Sequence, residues 1–127
     1  MSKLSDLSAA GTAVWLDFVD RKFLEAKGLE KLVNEDGLTG VTSNPSIFQK
    51  AMTGTDAYDE QLRSLTESGC SVEESYWELV VRDIHDALEI LRPVHEESYG
   101  LDGYVSVEVD PRLAPDTEGT MVAARQL

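Results

Sequence analysis

Cysteine is almost missing from this sequence, which has one, Cys70, among its 127 residues. A single thiol excludes a disulfide within the chain, and this favours a reducing compartment. No apolar run approaches the roughly 20 residues of a membrane span. Residues 1–10 also lack the apolar core of a signal peptide. These absences together predict a cytoplasmic protein that is not embedded in a membrane.

Basic residues are also scarce, with 11 Lys and Arg against 24 Asp and Glu, for a formal net charge of -13. Such a surface repels phosphate backbones and has no polybasic cluster, so we expect neither a nucleic-acid partner nor membrane anchoring. His85 and His95 are far apart, and neither has a second potential ligand one helical turn away. The sequence therefore predicts no metal site.

Length limits the fold, because 127 residues form one domain (residues 1–127) whereas a complete eight-stranded α/β barrel needs about 250. Short β-like runs alternate with longer helical ones, a pattern typical of parallel β/α units. The β-like runs are residues 12–18, 38–43 and 103–109. The helical runs are residues 21–35 (interrupted at Gly28), 46–52, 56–67 and 72–91, with a last one from about residue 116 onward.

Capping signals locate several helix ends. Asp20 and Asn44 precede helical runs, and Pro45 suits a first helical position. Ser71 with Glu74 forms a capping-box pattern, and Pro93 is expected to end the long helix. One apolar stripe is expected along that helix: Val72, Tyr76, Val80, Ile84, Leu88 and Leu91.

Three polar residues fall where the β-like runs end: Asp17, Asn44 and Glu108. Parallel strands joined by right-handed crossovers place their C-termini at one edge of the sheet, where α/β proteins hold their active sites. Thr42 shares a strand face with Asn44, as Ser106 does with Glu108. Converging carboxylates in a partly dry space suit proton transfer. Spacing alone leaves a second interpretation open, in which Asp17 and Glu108 are ordinary solvated strand ends or caps.

The sequences of four motifs resemble those of one family. Residues 40–48 (GVTSNPSIF) resemble the first signature of transaldolases, and residues 14–17 (VWLD) resemble that family's first strand. Residues 106–113 (SVEVDPRL) resemble its third strand and the following loop, and residues 76–84 resemble the helix between the second and third strands. The motifs occur in the family's order and spacing, and the longer bacterial members are the most similar.

This resemblance implies an α/β fold, an incomplete (β/α)8 TIM barrel made of the first three β/α units with an N-terminal helical lead-in. It implies a transferase of the pentose phosphate pathway that moves a dihydroxyacetone unit through a lysine Schiff base, without a cofactor. Asp17 would transfer the proton at carbon–carbon cleavage, while Glu108 and Thr42 would position water. Asn44, Ser43 and Ser106 would bind substrate.

The resemblance also implies substrates for the complete enzyme: fructose 6-phosphate, sedoheptulose 7-phosphate, erythrose 4-phosphate and glyceraldehyde 3-phosphate. The family's nucleophilic lysine lies on the fourth strand, after the helix that starts near Asp116. We therefore expect the 127 residues to be inactive alone. The alternative is a non-catalytic barrel fragment that associates with a partner supplying the remaining strands. In either case, open sheet edges predict self-association.

Overall fold

The computed structural model describes residues 2–127, which form a three-stranded parallel sheet with helices on one face. The strands are β1 (Trp15–Leu16), β2 (Gly40–Thr42) and β3 (Tyr104–Ser106). Their order is β1-β2-β3, so β2 is central and the other two are edges. Trp15 aligns with Gly40, and Gly40 with Tyr104. The predicted parallel β/α architecture is confirmed, and the sheet is not closed.

Residues 2–127 also form seven α-helices and two short turns of other helical types. The α-helices are α1 (Lys3–Ala9), α2 (Arg21–Glu25), α3 (Gly28–Lys31), α4 (Pro45–Gly54), α5 (Asp59–Glu67), α6 (Val72–Glu97) and α7 (Thr117–Gln126). A π-helical turn (Leu32–Asp36) follows α3, and a 3-10 turn (Pro111–Leu113) precedes α7. The predicted N-terminal helical lead-in is therefore α1.

The predicted caps are present. The Asp20 carboxylate accepts a hydrogen bond from the Phe23 amide at 3.0 Å, and the Ser71–Glu74 capping box is complete. Asp116 caps α7. The break predicted at Gly28 in the first helical run falls one residue earlier, at Lys27, whose left-handed backbone (φ 61°) separates α2 from α3. Side-chain caps satisfy amides that the helix itself leaves unpaired, which is why sequence locates them well.

The expectation that Pro93 ends the long helix is wrong, because α6 continues through it to Glu97. Proline removes one amide donor and leaves the carbonyl of Glu89 without its helical partner. Both residues are exposed, so water can satisfy that carbonyl. Beyond the proline, Val94 packs against the core, and this contact favours continuation of the helix.

The core lies between one face of the sheet and the helices. Val41 on β2 is fully buried and packs with buried residues of α4 and α6, while Leu16 and Val105 cover the core from the edge strands. The α6 stripe needs correction, because Val72 is 90% exposed and Leu88 is 37% exposed. The side chains that α6 buries in this core are Val80, Ile84, Ala87 and Leu91.

The other face of the sheet carries no helix and is called here the open face, formed by Trp15, Gly40, Thr42, Tyr104 and Ser106. Trp15 and Tyr104 are 37% and 44% exposed. A side chain at Gly40 would lie 2.3 Å from the indole of Trp15, so the absent Cβ provides the space in which the indole lies. The alternation predicted for β3, with valines towards the helices, is therefore confirmed.

Candidate active site

Asp17 and Thr42 meet at the C-terminal edge of the open face. Asp17 follows β1, and the Thr42 hydroxyl on β2 donates a 2.8 Å hydrogen bond to an oxygen of the Asp17 carboxylate. The contact follows from the register, since Leu16 aligns with Val41 and the next residue of each strand points to the opposite face. A carboxylate held by a neutral hydroxyl keeps a second oxygen available for proton transfer.

Ser106 extends this row across the third strand, because Thr42 aligns with Ser106 in the parallel pair. Its side chain is exposed on the open face, and its backbone carbonyl accepts two hydrogen bonds from Ser43. Asp17, Thr42 and Ser106 thus occupy neighbouring positions on three adjacent strands. Polar side chains therefore form a row at one edge of the sheet.

Ser43 lies on the opposite face from Thr42. Its side chain is 3% exposed, and its hydroxyl donates a 2.7 Å hydrogen bond to the carbonyl of Ser106. Its amide donates to the same oxygen at 3.1 Å. The structure therefore does not bring Ser43 onto the open face, and these bonds join β2 to β3 just past the last strand pair.

Asn44 and Glu108 follow two residues after Thr42 and Ser106, respectively. The Asn44 side-chain oxygen accepts a hydrogen bond from the Ile47 amide at 3.1 Å, which caps α4 and confirms the predicted strand-to-helix turn. This bond uses the amide oxygen and leaves the side-chain NH2 group as a pair of donors. Glu108 is exposed just beyond β3. Both residues lie at the edge that carries Asp17 and Thr42.

Just past Glu108, Asp110 and Arg112 form a local ion pair, with the Arg112 Nε atom 2.9 Å from Asp110 Oδ2. The Asp110 carboxylate also accepts a 2.8 Å hydrogen bond from the Arg112 amide and caps the 3-10 turn. Hydrogen bonds from the guanidinium and the amide lower the pKa of Asp110 to about 2. This pair shapes the loop that leaves β3 next to the site.

The comparison with protein families agrees with this geometry. The family model described as transaldolase/fructose-6-phosphate aldolase matches residues 14–127. The chain belongs to this family. A transaldolase of Parafrankia sp. (strain EAN1pec) is 52% identical over 128 residues, covering 100% of this chain and 35% of its own length. One of Thermobifida fusca (strain YX) is 52% identical over 126 residues, covering 99% and 34%.

A transaldolase of Thiobacillus denitrificans (strain ATCC 25259 / T1) is 47% identical over 127 residues, covering 100% of this chain and 35% of its own length. The chain thus spans about a third of the length of the curated transaldolases that it matches. Residues 14–127 include all three strands and every predicted site residue.

The five lysines of this family member lie outside the strands. Lys3, Lys22, Lys31 and Lys50 are exposed on helices, and Lys27 is exposed at the break between α2 and α3. Lys22 pairs with Asp56 at 2.7 Å, and hydrogen bonding to that carboxylate raises the pKa of its amine. A Schiff-base nucleophile needs the opposite shift, so Lys22 is unsuited to that role.

One buried polar cluster was missed from the sequence: Arg21, Tyr58 and Asp83, called here the Arg21 cluster. Asp83 is fully buried, and the other two are 2% exposed. The sequence held a signal, because Asp83 lies between Val80, Ile84 and Ala87 on the buried face of α6, where a charge needs a partner. The partner's identity depended on the packing of α2 and α5, which spacing does not reveal.

Two absences apply to residues 2–127. Within this range, no helix is long and apolar enough to cross a membrane. No group of three or more His, Cys, Asp or Glu side chains in the same range could hold a metal ion.

Proposed function

We propose that this chain supplies the acid–base and substrate-binding half of a transaldolase active site. In this proposal Asp17 is the proton-transfer carboxylate, and Thr42 and Glu108 position the water used in forming and breaking a Schiff base. Asn44 and Ser106 contact the dihydroxyacetone unit. The observation that supports these roles best is the 2.8 Å hydrogen bond between Thr42 and Asp17 at the C-terminal edge of the sheet.

The proposed reaction transfers a dihydroxyacetone unit between sugar phosphates in the pentose phosphate pathway. A lysine amine condenses with the ketose carbonyl and releases water. Asp17 then takes the proton of the hydroxyl beside the breaking carbon–carbon bond, and the bond electrons move to the iminium nitrogen. The cleaved aldose phosphate leaves. When the acceptor aldehyde adds, the enamine electrons form the new carbon–carbon bond, Asp17 returns the proton to the new hydroxyl, and water hydrolyses the Schiff base to release the product ketose. A carboxylate on a strand end is well placed for this step because its position is fixed by the sheet.

The proposal includes an untested role for Ser43, which the resemblance implies to be a substrate-binding residue. Its hydroxyl is already used in the bond to the Ser106 carbonyl. We propose that Ser43 acts on substrate indirectly, by holding β3 against β2 so that Ser106 and Glu108 keep their distance from Thr42. The proposed location is the cytoplasm, the compartment favoured by a single cysteine.

We propose further that the Schiff-base lysine is none of the five lysines of these 127 residues, because each is exposed and distant from a strand end. Borohydride reduction with fructose 6-phosphate tests this. The full-length protein should give one covalent adduct, and the 127-residue chain should give none. An adduct on Lys3, Lys22, Lys27, Lys31 or Lys50 would overturn the proposal.

The role of Asp17 is tested in the full-length protein by Asp17→Asn. Loss of a general acid–base group costs about 10²- to 10⁴-fold in turnover. Schiff-base trapping should persist, because the lysine still condenses with the ketose. Wild-type turnover in Asp17→Asn would sink the assignment of Asp17.

The open sheet supports the second candidate, association with a partner that supplies further strands. Both β1 and β3 are edges, and α7 leaves Met121, Val122 and Leu127 between 41% and 49% exposed. Unpaired edges next to apolar surface favour association. Light scattering of the isolated 127 residues should show association, and a sharp monomer peak with cooperative thermal unfolding would contradict it.

A matched pair of variants locates the associating surface. Tyr104→Lys places a charge on β3, and Leu62→Lys places one on α5, at side chains of nearly equal exposure, 44% and 43%. The first should reduce association and the second should not. Mixing the chain with the remaining segment of a full-length relative then separates the candidates. Restored turnover favours a piece of a transaldolase, and no association favours a dead fragment.

A further inference from the structure

The Arg21 cluster links α2, the N-terminal end of α5 and α6 through buried hydrogen bonds. The Arg21 Nε atom donates to Asp83 Oδ1 at 2.8 Å, and the Tyr58 hydroxyl donates to Asp83 Oδ2 at 2.7 Å. The guanidinium lies 4.3 Å from the centre of the Tyr58 ring and reaches the carbonyls of Ala57 and Leu79, both at 3.4 Å. Every buried side-chain nitrogen and oxygen in residues 2–127 has a hydrogen-bond partner.

The cluster also fixes backbone. The amide of Arg21, the first residue of α2, donates a 3.1 Å hydrogen bond to the Tyr58 hydroxyl. The Tyr58 hydroxyl therefore accepts from Arg21 and donates to Asp83 at once, joining the start of α2 to α6. Burial and the neighbouring Asp83 carboxylate raise the pKa of the Tyr58 hydroxyl, so it stays protonated and keeps donating.

Arg21 lies four residues after Asp17, and the connection between them is held at several points. Val19 is 1% exposed in the core. The rings of Phe18 and Phe23 pack edge to face, with 5.4 Å between their centroids. Phe18, the residue after Asp17, therefore contacts α2. A shift of α2 therefore moves the segment that carries the Asp17 carboxylate.

We propose that Arg21, Tyr58 and Asp83 are positioning residues that hold Asp17 in register with Thr42 for proton transfer. The proposal rests on the proposed function of Asp17. A buried ion pair adds little net stability compared with apolar packing, but it enforces one geometry because misplacement leaves buried charge unpaired. Small displacements of a reacting group cost up to about a hundredfold in rate, so such a fixed geometry has a catalytic consequence.

Tyr58→Phe in the full-length protein tests the proposal, since it deletes only the hydroxyl that links the backbone amide of Arg21 to Asp83 and leaves the direct Arg21–Asp83 ion pair in place. We expect kcat to fall about tenfold with KM unchanged within about twofold, because the substrate contacts remain while the proton-transfer group is displaced. In an Asp17→Asn background the same change should have no further effect. An equal loss of kcat in both backgrounds would overturn the proposal, since it would indicate a general loss of folded enzyme.

A second readout does not depend on activity. The carbon-13 signal of the Asp17 carboxyl, assigned by its disappearance in Asp17→Asn, should move in Tyr58→Phe. It should also move in Phe23→Leu, which breaks the Phe18–Phe23 contact without touching a buried charge. Phe23→Leu provides this readout if Tyr58→Phe does not fold. An unmoved signal in a folded variant would refute the coupling, even if Asp17 has no catalytic role.

Leu91→Ala is the matched control for lost stability. Leu91 is fully buried near the other end of α6 and belongs to the same core, but it is not part of the Arg21 cluster. Its variant should unfold more easily and keep both the wild-type kcat per folded molecule and the Asp17 carboxyl signal. If Leu91→Ala moved that signal as much as Tyr58→Phe, the Arg21 cluster would have no special role.

Discussion

Thr42 holds the carboxylate of Asp17 across two neighbouring parallel strands, with 2.8 Å between the hydroxyl oxygen and the nearer carboxylate oxygen. The two residues are 25 positions apart in the chain and meet because β1 and β2 pair in register. A threonine on a strand is restricted at χ1, so the direction in which its hydroxyl points is well defined. The pair therefore sets both the position and the orientation of the acid–base group in the proposed reaction.

Thr42→Val should lower kcat of the full-length protein about tenfold while leaving its folding nearly unchanged. Valine keeps the shape of threonine and its preference for strands, but it removes the donor to the carboxylate. A tenfold rate change corresponds to about 1.4 kcal/mol, which lies within the cost of up to about a hundredfold in rate for a displaced reacting group. Steady-state kinetics and thermal unfolding measure the two effects. Thr42→Ser keeps the hydroxyl and should retain most activity, and a fully active Thr42→Val would contradict the proposed role.

Asn44 caps α4 and is proposed to contact substrate, and substitutions can separate the two contributions. Asn44→Ala removes both the cap of α4 and the side-chain NH2 group, so it should lower the free energy of unfolding by about 1 kcal/mol and raise KM for fructose 6-phosphate. Asn44→Ser restores a good cap without restoring the amide. It should unfold like wild type and keep the raised KM. A wild-type KM in Asn44→Ser would show that Asn44 is only a cap.

Much of this site was predictable because local chemistry determines it. Alternating valines predicted which face of β3 meets the helices, and Asn44-Pro45 predicted the turn into α4. The side of the sheet on which Thr42 and Ser106 lie followed from parity alone, since strand side chains alternate between faces. The contact between Thr42 and Asp17 needed the register of β1 with β2, and spacing gave only the edge at which they meet.

The remaining features depended on tertiary packing. Pro93 fits within α6 because both it and Glu89, whose carbonyl it leaves unpaired, are exposed to water, a condition that no local pattern contains. Ser43 shares a motif with Thr42 and Asn44, yet its buried hydroxyl joins two strands. Asp83 was recognisable as a charge on an apolar helix face, but its partners Arg21 and Tyr58 come from segments 62 and 25 residues away.

Acid titration should distinguish Asp110 from ordinary surface carboxyls. Its folded pKa of about 2 lies below the ordinary aspartate value of 3.8, so the loop gains stability above the unfolded pKa and loses it as pH falls from about 4 to about 2. Arg112→Gln removes the guanidinium and keeps the amide bond, so the pKa should rise part of the way to 3.8. Carbon-13 titration of the carboxyl measures this. A pKa that stays at about 2 in Arg112→Gln would assign the whole shift to the Arg112 amide.

Removing one partner of the buried Arg21–Asp83 ion pair should lower the free energy of unfolding more than removing both partners. Arg21→Met leaves the fully buried Asp83 carboxylate without its cation, and such uncompensated burial costs about 3–5 kcal/mol. Burial already raises the pKa of Asp83, so in Arg21→Met this carboxyl should take up a proton and recover part of the loss at low pH. The double variant Arg21→Met, Asp83→Leu removes both charges and should lose less free energy of unfolding than Arg21→Met alone. Denaturant unfolding of the full-length protein measures Arg21→Met, Asp83→Leu and the double variant. If the two single losses simply added in the double variant, the pair would not be coupled in the folded state, contrary to its 2.8 Å contact.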